Sequence, residues 1–221
     1  MSIRRREFLG SFGAASFAAA LPLTKGEVDA LAAPPPADSP WDLTWVDRIK
    51  GKYRAVFDSP GFSDGAALFR SIIWAQQYKE VYGTTPAEMS TVLVIRHVGI
   101  MLAMNNQFWL TYDIGKRKKF KDTQKNKFYV QNPIAGPPAG TPPQFADMTI
   151  PKFIEAGGIV LACNLAFQDA VSIVAKDDNL KHEEAEKKAR NNLLPGVILQ
   201  PSGIFAVLRA QEAGCNYILG S

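Results

Sequence analysis

Thr91-Val92-Leu93-Val94-Ile95 is an unbroken run of β-branched and aliphatic side chains. A strand covered on one face alternates apolar with polar residues, whereas a continuous run suits a strand buried on both faces, as in a parallel sheet sandwiched by helices. Upstream, Lys52 to Phe57 alternates and stops at Asp58-Ser59-Pro60-Gly61, which reads as a first strand ended by turn residues. Between the two, Ser63 or Asp64 is placed to cap a helix in which Leu68, Ile72, Ala75 and Val81 keep near-helical spacing until Gly83. Downstream, the second strand ends at Arg96-His97. A helix is expected from about Gly99 to Tyr112, closing at Gly115, and a short one over Thr149 to Ala156. Ile159-Val160-Leu161-Ala162 reads as the third strand and Val197-Ile198-Leu199 as the fourth, separated by helical patterns at Leu165 to Ala175 and His182 to Asn192. A helix from Gly203 to Ala213 and a strand at Tyr217-Ile218-Leu219 complete the chain. Helix-length crossovers force parallel pairing, and their right-handedness places helices on both faces. The expected fold is an α/β three-layer sandwich with a mainly parallel five-stranded sheet, flavodoxin-like in outline. Met101, Met104, Phe108, Trp109 and Tyr112 share one helical region and read as core packing rather than a cofactor box.

The 221 residues are 47% hydrophobic and 21% charged, which excludes a disordered, collagen-like or coiled-coil chain. A formal charge of +4 is too small to support a nucleic-acid partner. The two cysteines, Cys163 and Cys215, form no CxxC, and the two histidines, His97 and His182, form no HxxxH or HExxH, so no metal site is expected. GxGxxG, Walker and GxSxG motifs are absent from the sequence, and no cofactor is expected.

At the N-terminus, Arg4-Arg5-Arg6-Glu7-Phe8-Leu9 leads into a weakly apolar run from Leu9 to Leu23 and then Ala30-Leu31-Ala32. This order reads as a twin-arginine export signal over residues 1–32, with cleavage after Ala32 and a periplasmic mature protein; a retained membrane anchor is the weaker reading. Residues 33–40 are a proline-rich spacer, and 41–221 one domain. Within that domain residues 115–146 show no period. Lys116-Arg117-Lys118-Lys119 is followed by Pro133, Pro137, Pro138, Pro142 and Pro143, a long loop of the kind used as a lid, binding loop or subunit contact. The basic cluster reads first as a solvated face, with an anion or partner site as its rival.

Ligands of a parallel sheet bind beyond the carboxyl ends of its strands. Those ends carry His97, Cys163 and the Gln200 to Ser202 turn. Cys163 falls between a strand and the start of a helix, where the helix dipole favours thiolate, the nucleophilic form. Inert burial as a small apolar residue is the competing reading. Cys215 precedes the last strand whereas Cys163 follows the third, so a strand length separates them and no disulfide is expected; a single structural bridge is the alternative. His97, beside Arg96, is able to accept a proton or bind a ligand, or to serve structurally. Ser202-Gly203 could cradle an anion, although a plain helix cap is the commoner explanation. Asn105 and Asn106 interrupt the apolar helical face, and Asn105 is a candidate ligand group.

Gly158-Ile159-Val160-Leu161-Ala162-Cys163-Asn164-Leu165-Ala166, then Leu194-Pro195-Gly196-Val197, and finally Ala210-Gln211-Glu212-Ala213-Gly214-Cys215-Asn216-Tyr217 resemble the DsrE/DsrF-like sulfur-relay family. The likeness runs from about Tyr53 to Ile218. The export signal, Arg96-His97, Trp109, Tyr112, Gly115 and Leu194 to Gly203 look like exported members of that group. The resemblance implies a cysteine that carries persulfide sulfur at Cys163; Arg96, His97, Asn105, Asn164 and Ser202 are the candidate supporting or ligand-binding residues around it. It implies a sulfur donor and an acceptor, each a protein or a small thiol, and a homo-oligomer with the Lys116 to Phe145 loop as a candidate contact. The rival function is a non-catalytic ligand-binding or accessory subunit of a periplasmic or membrane-associated complex, joined through the 115–146 loop.

Overall fold

A computed structural model describes residues 39–122, 126–137 and 140–221. The expected export signal, and the spacer as far as residue 38, lie outside the described residues. In chain order the elements are β1 (Tyr53–Ser59), α1 (Ala66–Tyr82), β2 (Met89–Ile95), α2 (Asn106–Thr111) and α3 (Ile114–Arg117). After these come the short strands β3 (Lys121–Asp122) and β4 (Lys127–Phe128), then α4 (Ile150–Glu155), β5 (Ile159–Cys163), α5 (Asn164–Asp177) and α6 (His182–Arg190). The chain ends with β6 (Val197–Gln200), α7 (Gly203–Glu212) and β7 (Asn216–Leu219). The main sheet has the order β6-β5-β2-β1-β7, and every pairing in it is parallel. Helices flank both faces, giving the three-layer flavodoxin-like sandwich expected from the strand spacing.

The winding decides which helix covers which face. From β1 the chain steps outward through β2, β5 and β6 in one direction, so right-handed crossovers put every connecting helix on the same side. After β6 it returns across the whole sheet to β7, and the same handedness puts α7 on the other side. The core divides accordingly. Phe57, Leu93, Ile95 and Val160 pack with residues of α1, α5 and α6, whereas Val56, Val92, Val94 and Leu161 pack with Ala206 and Ala210 of α7 and with Trp45. Strand residues alternate between the two clusters because successive side chains point to opposite faces.

Local chemistry moves several expected boundaries. The first strand runs through Asp58 and Ser59 instead of stopping at Phe57. Neither Ser63 nor Asp64 caps α1: both have positive φ in a short 3-10 turn, and Gly65, at φ 81°, is the N-cap. A Cβ on Gly65 would lie 2.4 Å from Ile134 Cγ2, so that turn is open to glycine alone. The single helix expected from Gly99 to Tyr112 is a 3-10 turn over His97–Ala103 followed by α2. Asn132 is the reason: its side-chain amide donates to the carbonyls of Leu102 and Met104 at 2.8 and 2.7 Å, satisfying them without helical partners. The five residues Met101, Met104, Phe108, Trp109 and Tyr112 are buried core, as read.

The 115–146 segment is not a structureless loop. Its described part contains the end of α3 and the β3–β4 hairpin, buries Phe120, Asn132 and Ile134, and stacks Phe120 on Phe62 at 4.0 Å. Arg117 and Lys118 form ion pairs with Asp177 and Asp169 of α5, and Lys116 pairs with Asp113. Among the described residues no helix is long and apolar enough to cross a membrane.

Candidate functional site

The winding that segregates the helices also creates a cleft. The connection after β5 leaves toward one face of the sheet and that after the adjacent β6 toward the other, so their carboxyl ends splay apart. This reversal is where open α/β sheets bind ligands. A crevice of about 400 Å³ lies at this end of the sheet, lined by Arg96, His97, Lys118, Cys163, Ser202 and Gly203, with Val98, Leu165 and Ile204 among its other walls.

Cys163 is the last residue of β5 and the N-cap of α5, and its sulfur accepts the backbone N–H of Ala166 at 3.4 Å. The residue is only 7% exposed, recessed in the crevice wall rather than presented at the surface. Opposite it, Ser202 caps α7 by accepting the N–H of Phe205 at 3.1 Å. Gly203 follows against the side chain of Arg96, where a Cβ would stand 2.6 Å from Arg96 Cβ and Cδ. His97 leaves β2 in the left-handed region at φ 47°, a strained conformation for a residue with a Cβ, and its side chain is exposed.

Arg96 is held from behind. Its Nε and Nη2 donate to the two carboxylate oxygens of Asp58, each at 2.7 Å, and the hydroxyl of Tyr217 donates to the same Asp58 at 2.9 Å. Asp58 is 1% exposed and Arg96 21%. The Asp58 hydrogen bonds raise the arginine pKa further, and nearby Cys163 and Tyr217 act in the same direction. Tyr217 is also raised, first by burial and then by its bond to Asp58.

Of the residues singled out from sequence, Arg96, His97, Cys163 and Ser202 meet in this one crevice. Asn105 does not line it; that side chain caps α2, accepting the N–H of Phe108 at 2.8 Å, while its backbone N–H goes to Asn192. Asn164, the first residue of α5, is likewise outside the lining, and its side-chain oxygen is buried without a hydrogen-bond partner among the described residues. Two residues lie outside the sequence reading of the site, Asp58 and Tyr217, whereas Lys118 belongs to the basic cluster for which an anion or partner site is the rival reading. By residue type Asp58 reads as a turn residue, yet it is in phase with Val56, as Arg96 is with Val94, and that shared parity puts both on the α7 face.

The second cysteine is at the other end of the sheet. Both thiols are free, and Cys215 packs with Val56, Val92, Ala206 and Ala210 just beyond the end of α7. Burial pushes its pKa up to about 11, opposed weakly by Arg54. A larger hollow of about 700 Å³ also sits at the amino ends of the strands, between α1 and α4, with Ile72, Ala75, Met89 and Phe153 in its walls. It contains neither cysteine nor histidine, so the smaller crevice holds the more reactive chemistry. Among the described residues no cluster of three or more His, Cys, Asp or Glu is placed to hold a metal ion. His182 lies exposed on α6, 3.9 Å from Glu186. The chain matches no protein-family model and no curated protein.

Proposed function

We propose that this chain is an exported thiol protein that binds or relays sulfur as a persulfide on Cys163. The observation that carries the reading is the meeting of Cys163 with Arg96, His97 and Ser202 in one crevice at the winding reversal of the sheet. The resemblance of the Ala162-Cys163-Asn164 region to the DsrE/DsrF-like family supports it, as does the N–H that Ala166 gives the sulfur, a bond that strengthens when the sulfur is negative. In the step itself the Cys163 thiolate attacks the outer sulfur of a polysulfide. A new S–S bond forms, the donor S–S bond breaks, and the shortened polysulfide leaves with the electron pair. An acceptor thiolate then attacks the outer sulfur of the persulfide, and Cys163 departs as thiolate. No external oxidant enters either transfer.

Intact-mass measurement after exposure to inorganic polysulfide tests this reading. A single adduct of about 32 Da, one persulfide sulfur, is expected on the wild type and on Cys215→Ser, and none on Cys163→Ser. Loading that survives in Cys163→Ser sinks the proposal.

A second reading, an accessory subunit that docks a partner over the crevice, is favoured by its rim. Val98, Leu165 and Ile204 are 55%, 69% and 64% exposed although apolar, and they come from three separate segments. Purification from the periplasm with a partner whose release depends on Leu165→Glu would support it.

A further inference from the structure

We infer that Arg96 selects the sulfur donor of Cys163, that this donor is a small anion carrying sulfane sulfur, and that buried Asp58 is the positioning residue that fixes the arginine for the task. The inference rests on the reading of Cys163 as a sulfur carrier and adds to it the charge and size of what enters the crevice.

Attack by a thiolate on an anionic donor brings like charges together, so a fixed cation beside the sulfur offsets a repulsion that a neutral donor does not meet. Arg96 is built for that role. Its guanidinium keeps its charge across the working pH range and cannot give up its proton to the thiolate. Asp58 engages the Nε and Nη2 edge with two bonds of 2.7 Å, and Tyr217 braces the carboxylate, leaving Nη1 with no hydrogen-bond acceptor among the described residues. Arg96 lines the crevice and Asp58 does not, so the carboxylate that holds the arginine stands outside the cavity. The other cation of the wall, Lys118, has its charge taken by Asp169, which also lines the crevice. Arg96 is therefore the cation of the wall whose counter-ion lies outside the crevice, whereas that of Lys118 lies within it. A volume of about 400 Å³ is near the lower end for ligand cavities and suits a small molecule.

For thiosulfate the balance is direct. The Cys163 thiolate attacks the outer sulfur, the Cys–S–S bond forms, the S–S bond of thiosulfate breaks, and sulfite leaves with the electron pair. Three negative charges enter and three remain.

Iodoacetate and iodoacetamide differ in charge but little in shape, and each alkylates a thiolate by displacing iodide. The ratio of their rates at Cys163, divided by the same ratio for 2-mercaptoethanol, isolates the effect of charge. It is expected to favour iodoacetate on the order of tenfold, the worth of one charge-assisted hydrogen bond. In the double variant Asp58→Asn with Arg96→Gln, which keeps a neutral hydrogen-bonded pair and leaves no buried charge behind, the ratio should fall to that of 2-mercaptoethanol. A denaturant-unfolding midpoint close to the wild type's, expected because the pair is replaced as a pair, separates this fall from a general loss of structure. Sulfur loading from thiosulfate, followed by intact mass, should fall in parallel. A wild-type ratio equal to that of 2-mercaptoethanol, or equal thiosulfate loading in both proteins, overturns the donor assignment while the carrier reading stands on its polysulfide adduct. An anion preference with no sulfur adduct from either thiosulfate or polysulfide overturns the carrier reading and the donor with it.

Discussion

The two ends of the sheet each hold one cysteine, and they treat it in opposite ways. At the carboxyl end Cys163 begins a helix, takes a backbone N–H and lines a crevice with a guanidinium. At the amino end Cys215 follows the end of α7, where helix carbonyls present the negative pole of the dipole, and it is enclosed by aliphatic side chains that push its pKa up to about 11. Both residues are almost equally hidden, at 7% and 6% exposure. The difference teaches that equal burial does not mean equal surroundings: one sulfur faces a helix N-terminus and a cavity, the other a helix C-terminus and aliphatic side chains.

The largest expected effect sharpens the carboxyl-end description. Asp58→Ala leaves the Arg96 charge without its buried partner and should cost about 3–5 kcal/mol in denaturant unfolding, whereas Asp58→Asn with Arg96→Gln should be close to neutral. Equal costs for the two would mean the ion pair is not what holds this end together. Next in size is the contrast between the thiols themselves. A rise from the ordinary value of 9.0 to about 11 leaves Cys215 with about one-hundredth of the ordinary thiolate at neutral pH. Iodoacetamide labelling of the native protein, read by peptide mass, should therefore leave Cys215 largely unmodified while Cys163, which lines the crevice, is labelled, and comparable rates would break the comparison.

A smaller effect is expected from Gly203→Ala. The new methyl lies 2.6 Å from Arg96, so the arginine must shift, at a cost of about 1–3 kcal/mol and with a reduced preference for iodoacetate. The smallest is a pH dependence from the amino end. Between about pH 9 and 11 the unfolded chain has released the Cys215 proton while the folded chain retains it. The native state then binds more protons, so stability falls as pH rises through that window, and the stabilisation is fully present only below it. Cys215→Ala should remove that part of the alkaline slope in thermal melts at pH 8 to 11; an unchanged slope assigns it to other groups.

Much of the site could be read from residue order because strand ends are easy to find. Continuous runs at Thr91–Ile95 and Ile159–Ala162 mark where a parallel sheet turns toward its helices, and that rule alone gathers His97, Cys163 and Ser202 on one edge. Asn105 rests on a weaker sign, because a polar residue breaking an apolar face serves a cap as readily as a ligand, and here its oxygen accepts the N–H of Phe108. The loop over 115–146 was opaque for another reason. Asn132 and Lys118 act on partners far away in the chain, the carbonyls of Leu102 and Met104 and the carboxylate of Asp169, and no local pattern announces such bonds.

Hydrophobic periodicity by itself determined that this chain builds a parallel sheet between two layers of helix, and that one cysteine caps a helix while the other precedes a strand. Those are properties of neighbouring residues, fixed by the repeat of side-chain direction along a strand or a helix. Only the tertiary structure decided that Arg96 is locked by Asp58 and Tyr217, and that Lys118 reaches the thiol crevice. Each of those pairings joins segments brought together by strand order and winding, so its free energy depends on burial and on distances that exist only after the sheet has closed.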